Sequence, residues 1–216
     1  MFKRFDPKAD VASSTKVKSS VQRSIRTKLL EQMPLLAEPS AARPEPVTTT
    51  DANGEASTSQ AEAPTVLDAI WPRKEDIALV KCRDRVSIVA LHGQPLFFNS
   101  FDGPWFPTLH LLHRYADLLP RVQTDRGAVR FILGGAALMA PGLVSAGAAL
   151  PDAPGLPEGR VVAVYAQGKE LACAVGVLKM ATEDIKSVRK GVAIDVASYL
   201  NDDLWLLCGP EGKGLA

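Results

Sequence analysis

Val17, Val21, Ile25 and Leu29 recur at every fourth position, while Lys16, Arg23 and Arg26 fall toward the other side. That period predicts an amphipathic helix with a basic face. Further on the period drops to two. Ile77 to Lys81, Val86 to Ala90 and Leu96 to Asn99 read as short strands, with His92-Gly93 as the turn between the last two, so a small antiparallel sheet follows. A helix comes next, its apolar face formed by Leu109, Leu112, Tyr115 and Leu119 and its end marked by Pro120. Ala128 to Leu133 alternate as a strand, followed by Gly134-Gly135, a very short Ala-rich helix and a turn at Pro141-Gly142. Two valine-rich strands then flank Gln167-Gly168. Thr182 caps a short helix with Glu183 and Asp184 in its first turn and Lys186, Arg189 and Lys190 later, an order that suits the helix dipole, and Gly191 stops it. "YLNDDLWLL" reads as a final turn and strand. The second half is thus a small, mostly antiparallel barrel with short helices.

The stretch Phe131 to Leu150 carries no charge and has about the length of a bilayer span, roughly 20 residues. Arg130 borders it, Gly134-Gly135 and Pro141-Gly142 interrupt it, and Ala and Gly outnumber its large apolar residues, so it is not read as a membrane span. Its small side chains describe backbone that another molecule can approach closely, or a helix packed tightly on a barrel. From Ala37 to about Thr65 the chain is rich in Pro, Ser, Thr, Ala and Glu with almost no large apolar residue, which predicts a disordered insertion.

A chain of 216 residues that is 46% hydrophobic can support a packed core. Lys and Arg number 25 against 24 Asp and Glu, so the chain is not a polycation, and any binding of anions must rest on local charge. Cys82, Cys173 and Cys208 are odd in number and far apart, which favours reduced thiols in an intracellular protein. The amino terminus lacks the apolar run of a secretory signal, and Asp6 and Asp10 argue against a mitochondrial presequence. His110 and His113 lie one helical turn apart with Asp117 four residues on, yet nothing completes a coordination sphere, so no metal or other cofactor is expected. Phosphate-binding loops, dinucleotide fingerprints and nucleophile elbows are missing from the sequence, which argues against an enzyme.

"DRGAVRFILGGAALMAPGL" and "VVAVYAQGKELACAVGVLKM" resemble a PUA domain, the RNA-binding module named after pseudouridine synthases and archaeosine transglycosylases. "MFKRFD", "LLEQMP", "LFFNSFDGPWFPTLHLLHRY" and "YLNDDLWLL" extend the likeness. With them almost the whole chain outside the insertion resembles the malignant T-cell-amplified sequence proteins and their fungal counterparts, the translation machinery-associated proteins. The fold expected is α+β, an N-terminal α/β domain with a small antiparallel sheet followed by a PUA-type β-barrel with short helices. The division expected is residues 1–118 for ribosome and partner, and 119–210 for RNA.

The resemblance implies a cytoplasmic, non-enzymatic translation factor. Such proteins pair with density-regulated protein, bind the small ribosomal subunit, and assist release of deacylated tRNA in recycling, initiation and reinitiation. The competing class is an RNA-binding accessory subunit of an RNA-modification complex. Gly135, Ala136, Pro141 and Gly142 match the module's RNA-facing segment and would receive the tRNA acceptor end, with Arg130, Lys169 and Lys179 near enough in sequence to meet phosphate. In the first half Lys16, Lys18, Arg23 and Arg26 are candidates for ribosomal RNA. Among the aromatics Phe97, Phe98, Trp105 and Phe106, most of which belong in a core, Phe98 and Trp105 are the candidate partner anchors.

Overall fold

The computed structural model describes residues 2–40, 64–209 and 214–215; most of the predicted insertion, residues 41–63, lies outside them. Asp6 caps α1 (Pro7–Asp10) by accepting the Lys8 amide at 3.0 Å, and Pro7 starts the helix, where its missing N–H costs nothing. β1 (Val11–Lys16) follows as the edge of the first sheet, almost entirely exposed and bulged between Val11 and Ser13. Its polar Ser-Ser-Thr centre hid it from the periodicity. The predicted amphipathic helix is α2 (Ser19–Gln32), with Val17 and Lys18 outside it. Ile25 and Leu29 are buried, whereas Val21 is 42% exposed, so the apolar face is narrower than its four-residue repeat suggests.

A 3-10 turn at Pro34–Ala37 and the short α3 (Val66–Ile70), capped by Thr65, pack beside α2. The chain ends flanking the insertion are held together: Ser40 donates to Pro64 O at 2.8 Å and Val66 to Glu38 O at 2.9 Å. β2 (Ile77–Cys82), β3 (Val86–Leu91), β4 (Gln94–Ser100) and the two-residue β5 (Phe106–Pro107) complete an antiparallel sheet in the order β1-β2-β3-β4-β5. The His92-Gly93 turn stands as predicted, with both residues at positive φ. α4 (Leu109–Arg114) is capped by Thr108 and buries Leu109, Leu111 and Leu112.

The second half contains β6 (Arg121–Thr124), α5 (Arg126–Ile132), β7 (Leu138–Met139), α6 (Pro141–Val144), β8 (Val161–Ala166), β9 (Ala172–Leu178), α7 (Thr182–Val188), β10 (Val192–Tyr199) and α8 (Asp203–Cys208). Its strands form a curled half-barrel in the order β6-β8-β9-β10-β7, antiparallel except for β6 against β8. The chain is α+β. Five expectations are corrected. Ala128–Leu133 is helical because Asp125 caps it, its carboxylate accepting the Ala128 amide at 2.9 Å. After Gly134-Gly135, Ala136 and Ala137 form no helix and lead into the edge strand β7, and Pro141-Gly142 opens a helix instead of making a turn. "YLNDDLWLL" ends in α8 because the buried Asp202 carboxylate accepts the Trp205 amide at 2.8 Å. At α7 the N-cap is Ala181, and Thr182 Oγ1 instead accepts the Leu156 amide at 2.8 Å.

β8 is buried along its whole length. Val161, Ala163 and Tyr165 face one core with Phe97, Phe98 and Leu112, while Val162, Val164 and Ala166 face a second with Ile132, Leu143 and Ile194. Alternation thus divides one strand between two cores. Across this seam His110 stacks on Trp205 at 3.8 Å and its Nε2 donates to Trp205 O at 3.1 Å; His113 Nε2 donates to Ala172 O at 2.8 Å. The two histidines therefore tie α4 to α8 and β9.

Phe98 is fully buried between Phe2, edge-on at 5.0 Å, and Phe106, stacked at 5.2 Å. Phe98→Ala should lower the unfolding free energy by about 3–5 kcal/mol. Phe101→Ala, at a ring 64% exposed, should change it by less than about 0.5 kcal/mol. Urea titrations of the two variants check the contrast. Burial first, and then the nearby His113 charge, hold His110 below its ordinary value of 6.5 despite the Trp205 carbonyl. The unfolded chain then binds that proton more tightly, so the stabilisation is complete above 6.5 and is lost as pH falls through the lowered folded value. Between about pH 7.5 and about pH 5 the wild-type chain should lose more stability than His110→Gln; parallel losses would contradict this.

Candidate nucleic-acid interface

Helices α5 and α6 and strand β7 enclose a groove of about 690 Å³, lined among others by Arg130, Phe131, Ala136, Met139, Pro141 and Gly142. Its shape follows from small residues at the crossing of the three elements. A methyl group at Gly142 would lie 2.9 Å from Ala128 Cβ and 3.0 Å from Leu138 Cδ1, so glycine lets α6 close onto α5 and β7. The Gly142 carbonyl accepts from Thr124 Oγ1 at 2.8 Å and from the Asp125 amide at 3.1 Å. Gly142 is therefore a packing residue of the groove wall.

Two large apolar side chains stand open there, Phe131 at 55% and Met139 at 45% exposure. The Arg130 guanidinium lies 4.7 Å from the Phe131 ring centroid. A cation beside an exposed ring suits an unstacked nucleobase and its phosphate. Asp125 supplies the groove's carboxylate. The Ser145 hydroxyl hydrogen bond, aided by the Ala128 and Gly127 amides and opposed by partial burial, holds it below the usual carboxylate range.

Four of the seven RNA-side candidates, Arg130, Ala136, Pro141 and Gly142, come together in this groove. Gly135 sits behind the wall at φ +81°, a left-handed conformation that favours glycine, against the Tyr199 hydroxyl. Lys169 and Lys179 are exposed and do not line it. Lys169 lies in the β8–β9 turn, where its carbonyl accepts from Arg121 at 3.2 Å, and Lys179 follows β9. Phe131, Met139 and Asp125 were missed. The available signal was Asp125 as an N-cap, which would have turned "RGAVRFI" into a helix and Arg130-Phe131 into its surface.

In the first half the candidates scatter. Lys16 pairs with Asp76 at 3.4 Å, both side chains well solvated. Lys18 and Arg23 are exposed at the start and on the outside of α2. Arg26 is corrected to a structural residue: it donates to Trp71 O at 2.7 Å, pairs with Asp68, and lies over the Trp71 ring. Phe98 and Trp105 are buried and offer no surface to a partner, the Trp105 amide donating to Gln32 Oε1 at 2.9 Å.

Residues 5–49 and 57–115 match a family described as Pre-PUA-like domain, and residues 119–203 one described as elF2D, PUA domain. Translation machinery-associated protein 20 of Saccharomyces cerevisiae is 41% identical over 205 residues, covering 95% of this chain and 97% of that protein. Malignant T-cell-amplified sequence 1 of Danio rerio is 38% identical over the same shares of the two chains. The chain belongs to this family. The membership ties it to translation, and the matched PUA domain to RNA. Among solved structures, a hypothetical protein of Pyrococcus horikoshii shares the fold at a TM-score of 0.63 and 20% identity, covering 91% of this chain and 100% of that one. A PUA-domain protein of Aeropyrum pernix does so at 0.59 and 22%, covering 91% and 90%. The groove therefore belongs to the family's PUA domain. Gly142→Ala should overpack its wall and cost about 1–3 kcal/mol, read as a lowered midpoint in thermal unfolding.

Proposed function

We propose that this protein is a non-enzymatic translation adaptor of the cytoplasm. Acting with a density-regulated protein homologue on the small ribosomal subunit, it receives the tRNA acceptor end and promotes release of deacylated tRNA in recycling, initiation and reinitiation. In this reading residues 119–210 carry the RNA site and residues 1–118 hold the ribosome and the partner. The observation that carries the RNA half is Phe131, more than half exposed beneath the Arg130 guanidinium in a groove walled by Ala136, Pro141 and Gly142. An unpaired acceptor end presents free base faces and ribose hydroxyls, and such a groove rewards both. Arg130 meets phosphate at the groove, with Lys169 and Lys179 extending the contact outside it. Lys16, Lys18 and Arg23 serve ribosomal RNA on the other half, where local cations suffice even at a formal net charge of +1.

The test is sedimentation of purified small subunits loaded with deacylated tRNA, with and without the density-regulated partner. Co-sedimentation with partner-dependent tRNA release is expected. Failure to bind under either condition, or modification of the tRNA by this chain, would overturn the adaptor reading. Phe131→Ala should weaken binding of a CCA-ended oligonucleotide by an order of magnitude or so, since stacking contributes about 1–3 kcal/mol per base.

A further inference from the structure

Residues 2–6 belong to the first half in sequence but touch both halves in space. Phe2 is buried in the first core against Phe98, and Phe5 packs edge-on to it at 5.5 Å. The Phe2 carbonyl accepts the Asp203 amide at 3.0 Å, and the Phe5 amide donates to Asp203 Oδ2 at 2.7 Å, so the backbone on both sides of Lys3 is fixed to α8. Held in this way, Lys3 donates from Nζ to Gly134 O at 2.9 Å, in the turn between α5 and β7.

Gly134 lies just past the C-terminus of α5, where the helix ends on the Leu133 cap. An ammonium there faces the negative end of the helix dipole. The Lys3 stem adds packing, since a methyl group at Gly135 would lie 3.4 Å from Lys3 Cδ on one side and 3.1 Å from the Tyr199 hydroxyl on the other. The turn so held is the one that folds back on the groove: the Gly135 amide donates to Ile132 O at 2.8 Å and the Ala136 amide to Phe131 O at 3.0 Å.

We infer that Lys3 is a positioning residue for RNA, a strap from the amino terminus that fixes the α5–β7 turn and with it the Phe131 and Ala136 walls of the groove. The inference rests on the RNA reading of that groove. Lys3 does not line the groove, so its effect travels through Gly134 and Gly135. The strap also makes the groove sensitive to the first half, because Phe2 anchors it in the other core.

Lys3→Met keeps the apolar stem and removes the ammonium, whereas Lys3→Arg keeps a donor. Both full-length variants would be titrated with a single-stranded oligonucleotide ending in CCA across a salt series, and amide hydrogen exchange would be followed at residues 134–136. Lys3→Met should weaken binding about threefold to tenfold, the span of one net hydrogen bond, with the salt slope unchanged and faster exchange at Gly135 and Ala136. Lys3→Arg should restore both. A salt slope reduced by about 0.7 would make Lys3 a direct phosphate contact and overturn the inference, as would unchanged affinity and exchange. If the wild-type chain does not bind the oligonucleotide, the RNA reading fails instead, and the exchange rates alone decide whether the strap holds the turn.

Discussion

The structure depends on β8 being buried on both faces. A strand at the surface of a single sheet can alternate apolar and polar residues, but "VVAVYA" has no polar position because each face meets a core. Val161, Ala163 and Tyr165 complete the core of the first half, and Val162, Val164 and Ala166 that of the second. β9 is also shared between the cores, though without strict alternation: Ala172 and Val175 face the first and Cys173, Ala174 and Leu178 the second. Neither half therefore closes its hydrophobic surface without the other, and the orientation of the groove follows from packing in a core that it does not touch. The polar groups at this seam conform: no described buried side-chain nitrogen or oxygen lacks a partner. Asp202 accepts from Ser198, Tyr199 and Trp205 together and so joins the end of β10 to α8.

The groove departs from the logic of the cores. Exposed apolar side chains occur elsewhere, Phe101 and Leu206 among them, but Phe131 and Met139 face outward together in a groove whose wall includes glycine and alanine. Close packing explains the small residues, since Gly142 has no room for a methyl group. It does not explain an exposed ring beside a guanidinium. The same pairing recurs at Arg85 and Phe101, but in the groove it stands beside Met139 and a wall of small residues, the local departure from packing logic on which the proposed RNA reading rests.

The β2–β4 meander was legible because its strands alternate and its turn places His92 and Gly93 at positive φ. Gln167-Gly168 was legible for a different reason, a turn signal between two continuous apolar runs that are buried almost throughout. β1 was not, because an edge strand with one neighbour and little burial needs no apolar repeat. α5 and α8 were misread for a different reason. Each is six or seven residues long, too short for period 3.6 to separate from period 2, and each is decided by the carboxylate before it, Asp125 or Asp202. The candidate residues divide along the same line. Gly142, Pro141, Ala136 and Arg130 are contiguous enough in sequence to be found together, whereas the burial of Phe98, Trp105 and Arg26 is set by elements from distant parts of the chain.

With Arg26 committed to Asp68 and Trp71, Lys16 and Arg23 are what remains of the predicted basic face, Lys16 in a solvated pair with Asp76. At a formal net charge of +1 the chain as a whole has little attraction for RNA, and its solvated charges are screened beyond a Debye length of about 8 Å. On the proposed RNA reading, affinity comes from close-range chemistry. In the groove that chemistry is directional: Asp125 stays ionised under its hydroxyl and amide hydrogen bonds and repels phosphate from its own side, while Arg130 attracts it on the other, over Phe131. A strand entering there would seat a base on the ring and run its backbone along the Arg130 side. An unpaired end meets that demand more readily than a duplex, whose bases are already stacked.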